Sequence, residues 1–442
     1  MVLLRIWWCF ALTTFALAAP GSGAEQLIAF PGAEGFGALA TGGRGGTVYR
    51  VTTLADAGPG SFRDAVSQGN RTVVFAVGGV IRMASDITLS DNLTVAGETA
   101  PGEGICLYGR TVSLGGRSNI ILRYLRFRQG MSGDRGKKAL GMDRTRNVIV
   151  DHCSIEWGRW DDLGITVGSS EITVQFCLIA EAIHPQSFGA LVDSVSNVTL
   201  RSNLWMSNES RNPKAKGTIQ YINNVVYNWG YTGLCGGHSA ADRELDVIGN
   251  YFIKGPSSND RFAGQFLATD RVYQSGNYAD LNADGKLNGH EVAEAEFHEP
   301  TEEKYTLPTF VKEAGMRPAV PVTVSSAAQA FERVLAEAGC SLRRDAVDRR
   351  LIDEARSLGK RGSTLSHTDP QGEALAGGIK PVLGGEAPSD QDRDGIPDQW
   401  EKEHGLDPAN DSDAAQPAKS GYTNLEVYLH TLSETAHARF AR

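Results

Sequence analysis

Asn197 to Trp229 reads NVTLRSNLWMSNESRNPKAKGTIQYINNVVYNW, and the fold follows from this stretch. Two alternating segments are joined by a short basic loop. Val198, Leu200 and Trp205 stand at offsets 0, +2 and +7 of the first; Ile219, Tyr221 and Val226 take the same offsets in the second. Offset +5 is Asn203 in one and Asn224 in the other. Apolar residues alternating at period two mark a β-strand, because successive side chains point to opposite faces. The loop between them carries Arg211, Lys214 and Lys216.

Outward from this pair the column repeats. Segments starting at Ile120, Val148, Ile172, Val198, Ile219 and Leu245 are separated by 28, 24, 26, 21 and 26 residues. Offset +7 is Phe127, Ile155, Ile179, Trp205, Val226 and Phe252. One coil of a parallel β-helix needs about two dozen residues, so the spacing predicts an all-β protein built as a parallel β-helix. Offset +5 is Leu125, Cys153, Cys177, Asn203, Asn224 and Asn250. Asparagines stacked roughly 4.8 Å apart can pair their amides, which makes their burial tolerable. Cys153 and Cys177 read as stacked buried thiols. Weaker repeats, TVVFAVGGVIRM and NLTVAGETAPGEGICLYG, extend the stack towards the N-terminus. Residues 28–70 alternate glycine clusters with apolar runs and read as a capping region leading into strands, with Ser61 as the N-cap of a short helix.

The chain has 442 residues, 51 of them glycine, and a formal net charge of −9. The acidic balance argues against a nucleic-acid partner but leaves room for a local basic groove. Arg5 followed by IWWCFALTTFALAA and small residues to Ala24 reads as a signal peptide over residues 1–24, too short to span a membrane comfortably. The mature chain is expected to be exported, off the membrane and monomeric. Loss of Cys9 with the signal leaves an odd number of cysteines, which argues against a disulfide framework. The β-helix is expected over residues 25–324. Helical spacing in AAQAFERVLAEAGCSL and RDAVDRRLIDEARSL predicts a helical tail over residues 325–359. A Gly, Ser and Pro-rich linker (360–389) and a small calcium-binding module (390–442) follow.

In the same alignment Asp161 and Arg211 both stand at offset +13, with His184 and Pro185 at +12 and +13 of the coil between. The three side chains are therefore expected along one outer edge, Asp161 and Arg211 roughly 10 Å apart. The acidic pair Asp161 and Asp162 faces the basic run SRNPKAK. Carboxylates can hold a divalent cation, and Arg or Lys can hold an anionic sugar. Neutralising a uronate carboxylate acidifies its C5 proton, because metal and arginine stabilise the enediolate formed. Loss of the C4 oxygen then cleaves the chain without water. A row of surface ion pairs with little effect on stability is the bland alternative.

FPGAEGFGALATGGRGG with VTTLADAGPGSFRDAV, NVIVDHCSIEWGRWDD, SRNPKAKGTIQYINNVVYNWG and LDVIGNYFIKGPSS, in that order, resemble the pectate lyases of polysaccharide lyase family one, over about Ile28 to Arg356. The resemblance implies a right-handed parallel β-helix, exported, that cleaves polygalacturonate by calcium-assisted β-elimination. It places Arg211 at the reaction centre as base, Lys216 where a second arginine usually holds substrate, and Asp161 among the calcium ligands. Lys214, His184 and Asp162 are further candidates for substrate or metal. Asp151 and His152 match an Asp-His pair read as support for the site. Two departures stand out: AIHPQSFGALVD lacks the usual lysine, and an acidic position reads Lys137-Lys138. The calcium site is then incomplete, displaced to Asp134 or Asp143, or replaced by lysine.

Two loops have EF-hand spacing. DLNADGKLNGHE offers Asp280, Asn282, Asp284, Asn288 and Glu291, with Gly285 at the sharp turn. DQDRDGIPDQWE offers Asp390, Asp392, Asp394, Asp398 and Glu401, with Gly395 at the turn, and resembles calcium modules of the thrombospondin type-3 kind. Both are expected to bind Ca2+ structurally. The alternative functions are a glycoside hydrolase, which needs two carboxyls at a working separation, and a non-catalytic polyuronide-binding protein.

Overall fold

A computed structural model describes residues 27–237, 243–297, 304–366 and 368–440. The signal segment read at residues 1–24 lies outside the described residues. The expected column pairs rung on rung and always in parallel. Val148 lies between Ile120 and Ile172, Ile172 beside Val198, Val198 beside Ile219, and Ile219 beside Leu245. The +7 column stacks in the same way from Phe127 to Phe252. The columns lie in two sheets, of 17 and 10 strands among the described residues, and their inward side chains form one continuous core. The protein is a parallel β-helix.

The corner between the sheets explains the offset +5 asparagines. Tyr124, His152, Phe176, Ser202, Asn223 and Gly249, all at offset +4, have φ between 49° and 62°. This left-handed turn leaves backbone groups without a strand partner, and the next residue inward supplies one. Asn203, Asn224 and Asn250 each donate their backbone N–H to the side-chain oxygen of the asparagine one coil on, at 2.8–3.0 Å, with Asn277 ending the ladder. Their amide nitrogens bond the same oxygens at 2.9–3.1 Å. Cys153 and Cys177 are free, buried thiols.

The glycine-rich segment 28–46 lies across the outer face of the longer sheet, where Phe30 and Ala38 pack on Ile121 and Ile149. A Cβ on Gly37 would stand 2.1 Å from the Val148 carbonyl oxygen, and one on Gly43 2.0 Å from that of Arg71. Backbone meets backbone there, so only glycine fits.

Helices Ala327–Glu337 and Ala346–Ala355 cover the outer face of the shorter sheet; Phe331, Val334 and Leu351 pack among Leu178, Leu204 and Tyr227. Polar groups are buried in the same interface. Arg126 and Arg128 point outward from their strand and meet Asp345, Asp348 and Glu156, all with fully buried side chains. Asp345 also caps the second helix through the N–H groups of Val347 and Asp348. Burial works to raise the Asp345 carboxyl, but Arg128 and Arg126 outweigh it and hold it well below the usual range.

The segment 360–389 is itself docked: Glu373 is buried and accepts from Tyr108 Oη and Met131 N, both at 2.8 Å. The C-terminal module rests on the first coils of the β-helix. Ile396, Leu425, Tyr428 and Leu429 pack on Ala96 and Val48, and Arg44 pairs with Glu426 at 2.7 Å. His430, on helix Asn424–Phe440, is mostly buried there; burial first, then Arg123 and Arg44, push it down to about 3. The unfolded chain takes up this proton near 6.5. Stability is therefore undiminished above pH 6.5 and falls as pH drops from there towards 3. His430→Gln should recover about 2 kcal/mol of that loss at pH 5, read as a smaller gap between the thermal midpoints at pH 8 and pH 5.

Candidate active site

Strand Asp161–Thr166 runs beside Phe188–Arg201, which runs beside Lys214–Ile222. At their leading edge Asp161 pairs with Phe188, and Phe188 with Ser210. The expected register is corrected here. Pro185 does not pair with Asp161, because the bend between Ile179 and Phe188 is three residues longer than that between Ile155 and Asp161. His184 therefore sits in the bend, its Nε2 2.7 Å from Arg135 Nη2 and its carbonyl accepting from Arg159.

Arg211 and Asp161 meet directly. Nη1 of Arg211 donates to Asp161 Oδ1 at 2.9 Å, and the guanidinium lies over the Phe188 ring, 3.9 Å from its centroid. Phe188 carries no charge and stands outside any motif, which is why sequence reading passed over it. Gly189 lets this loop approach: a Cβ there would stand 2.6 Å from the Arg211 carbonyl oxygen. Arg211 opens on a cleft of about 310 Å³ lined also by Gln186, Phe188, Glu209, Tyr231 and Gln265.

Asp161 is fully buried; its Oδ2 has no hydrogen-bond partner among the described residues. Burial pushes its carboxyl up, opposed first by Arg211 and then by Lys138 and Lys214. Lys214 is buried beside Arg211, and desolvation first, then Arg211, pull it down. Lys216 reaches Asp193 at 3.3 Å. Asp162 points away from Asp161: its Oδ1 accepts from Gly158 N within the preceding bend at 2.8 Å, and burial raises it well above the usual range. Of the two other acidic candidates, Asp143 pairs with Lys138 at 3.8 Å and accepts from Thr166, while the Asp134 carbonyl accepts from Gln129. Asp151 and His152 line a different cavity, with Arg123, Gln175 and His430.

The two EF-hand-spaced loops differ. In the first, with Gly285 at φ 88°, side chains satisfy one another: Asn282 donates to Asn288, Asn288 to Asp284, and Asp280 accepts from Asn288 N. Glu291 is exposed and lies on a short strand beside Tyr278. In the second, with Gly395 at φ 96°, Asp390, Asp392 and Asp394 converge. Asp398 accepts from Ser389 Oγ and Gln391 N, both at 2.7 Å, and so closes the loop's entry.

No family model matches the chain. Over 418 residues it is 43% identical to a probable pectate lyase C of Aspergillus fumigatus, covering 94% of this chain and 96% of that protein. Identity to the probable pectate lyase C of Neosartorya fischeri is 42%, with the same coverage. Among solved structures, a pectate lyase from Paenibacillus sp. 0602 superposes with a TM-score of 0.52 at 13% identity, covering 72% of this chain and 98% of that one. One from Acidovorax avenae subsp. citrulli gives 0.51 at 12% identity, covering 75% and 99%. These two share the fold.

Proposed function

The chain belongs to the pectate lyase family and is an enzyme of that kind, and we propose that it is exported and cleaves pectate by calcium-assisted β-elimination with Arg211 at the reaction centre. The observation that supports this most is the Arg211 guanidinium, fixed between Asp161 and Phe188 at the mouth of a cleft. Its remaining nitrogens make no hydrogen bond among the described residues, so they are available to a uronate carboxylate. Lys214 and Lys216 extend the positive edge along which an acidic polysaccharide would lie. Elimination breaks the C5–H and C4–O bonds and forms a C4–C5 double bond. Arg211 would stand at the proton and at the developing enediolate charge, in a partly desolvated setting where that charge is felt strongly.

Asp161 Oδ2, buried behind the Arg211 guanidinium and without a hydrogen-bond partner among the described residues, suits a cation. A calcium ion held there would take one protein oxygen, and bound substrate carboxylates would complete its oxygen shell and have their charge neutralised by it. Lys138 and Lys214 act on the same carboxylate, so such a site gains its affinity from the polyanion. Export is supported by the apolar run after Arg5; among the described residues no helix is long and apolar enough to cross a membrane.

The test is ultraviolet absorbance of unsaturated uronide during incubation with polygalacturonate, with calcium and with chelator. A rise that requires calcium is expected, and Asp161→Asn should raise the calcium needed for half-maximal rate by roughly tenfold. A rise that survives chelation would overturn the calcium role and leave the positive charge to Lys138, Lys214 and Arg211. No rise would overturn the proposal.

A further inference from the structure

The C-terminal loop holds a carboxylate cluster that sequence spacing only partly describes. Asp390, Asp392 and Asp394 bring ligand atoms within 4.8 Å of one another, and Asp394 forms a second such group with Glu401 and Asp413. Asp413 lies outside the 12-residue loop and enters from the next turn. Asp392, Asp394 and Asp413 each spend one oxygen on a backbone N–H, of Asp394, Ile396 and Asp407 respectively. Each directs its other oxygen inward, where it is buried with no hydrogen-bond partner among the described residues. Glu401 is fully buried, and neither of its carboxylate oxygens has a hydrogen-bond partner among the described residues.

Five inward oxygens without donors are costly for a protein interior unless something positive sits among them. Arg50 does not fill this role: it lies at the rim, 3.4 Å from Asp390. Oxygen-only donors, one per aspartate and two from a glutamate at loop position 12, suit Ca2+, which takes six to eight oxygens in a flexible shell. Magnesium demands stricter geometry and keeps its waters. A cleft of about 340 Å³, lined by Thr47, Val48, Thr72, Asp392 and Asp394, gives an ion a way in.

We propose that Asp390, Asp392, Asp394, Glu401 and Asp413 hold one Ca2+ that locks the loop 390–401 to the turn 407–413 and so staples the C-terminal module to the first coils of the β-helix. The mechanical link is short. Ile396 and Ala414, neighbours of the ligands in sequence, are part of the apolar cluster that packs on Ala96 and Val48, and Asp390 itself touches Arg50 on strand Thr47–Val51. Repulsion among uncompensated carboxylates would push these two loops apart.

The experiment uses the full-length chain stripped of metal, with CaCl2 as the probe. Calorimetric titration should show one fewer calcium site, or at least a tenfold weaker one, in Glu401→Gln and in the near-isosteric Asp413→Asn than in the wild type. Limited proteolysis of the unmutated protein should cut within 378–412 under chelation and leave that span intact with calcium. Equal calcium binding in the wild type and both variants would overturn the site. Calcium binding without a change in cleavage would overturn the staple. Because calcium binding and cleavage are read without substrate, failure here leaves the lyase reading untouched, and the reverse also holds.

Discussion

Arg211→Ala should lower kcat on polygalacturonate by about a thousandfold, while the variant still binds the polymer through Lys214 and Lys216. Removing a single charge-stabilising donor from a desolvated site typically costs two to three orders of magnitude, and Arg211 is placed here at the reacting proton as well. The alanine variant also leaves Asp161 buried without its 2.9 Å partner, which can destabilise the fold. Arg211→Lys separates the two effects: it keeps a positive charge near Asp161 but loses the planar fork over Phe188, so stability should largely recover and turnover should not. Steady-state rates by absorbance and a thermal melt of each variant decide it. A lysine variant with near-normal kcat would remove Arg211 from the reaction centre.

The second large effect is on stability. Asp348→Ala removes a buried carboxylate that accepts from Arg128 Nη2 at 2.8 Å, from Arg126 Nε at 3.3 Å and from Ser154 Oγ at 2.9 Å. Both guanidiniums would lose a carboxylate partner inside the interface between helix and sheet. Breaking a buried ion pair from one side costs about 3–5 kcal/mol, so the denaturant midpoint should fall clearly. Asp348→Asn keeps shape and hydrogen-bonding capacity and should lose less. Asp353→Ala gives the contrast: its i,i+3 pair with Arg356 at 3.9 Å is solvent-exposed on both sides and should cost less than about 1 kcal/mol. Equal effects at the two positions would mean that the buried network does not hold the helical tail to the β-helix.

Both predictions depend on information that reached the surface of the sequence unevenly. The β-helix was legible because its cause is local and repeated: an inward apolar residue every second position, and the same column again one coil later. Val148, Ile172, Val198 and Ile219 fall in register by counting alone. The asparagine ladder was legible for the same reason, since buried amides must find partners and the nearest lie one rung away. The left-handed corners were not, because residues such as Tyr124 and Phe176 carry no mark of φ near 50°. Counting also failed wherever a bend changed length: three extra residues before Phe188 moved His184 off the edge that fixed offsets had given it.

Charge-bearing residues were legible as types and not as partners. The sequence by itself determined the repeat, the sheet-forming columns, the basic loop around Arg211 and the carboxylate spacing of the C-terminal loop, since each depends on neighbours within one coil or one turn. The tertiary structure alone decided that Arg211 rests on Phe188, that Asp162 turns back into its own bend, that Asp398 closes a loop while Asp413 enters it, and that Arg126 and Arg128 meet Asp345 and Asp348 more than two hundred residues away. Such pairings depend on which faces packing brings together, and the penalty for leaving a buried charge alone then fixes the partner. No periodicity along the chain encodes that choice.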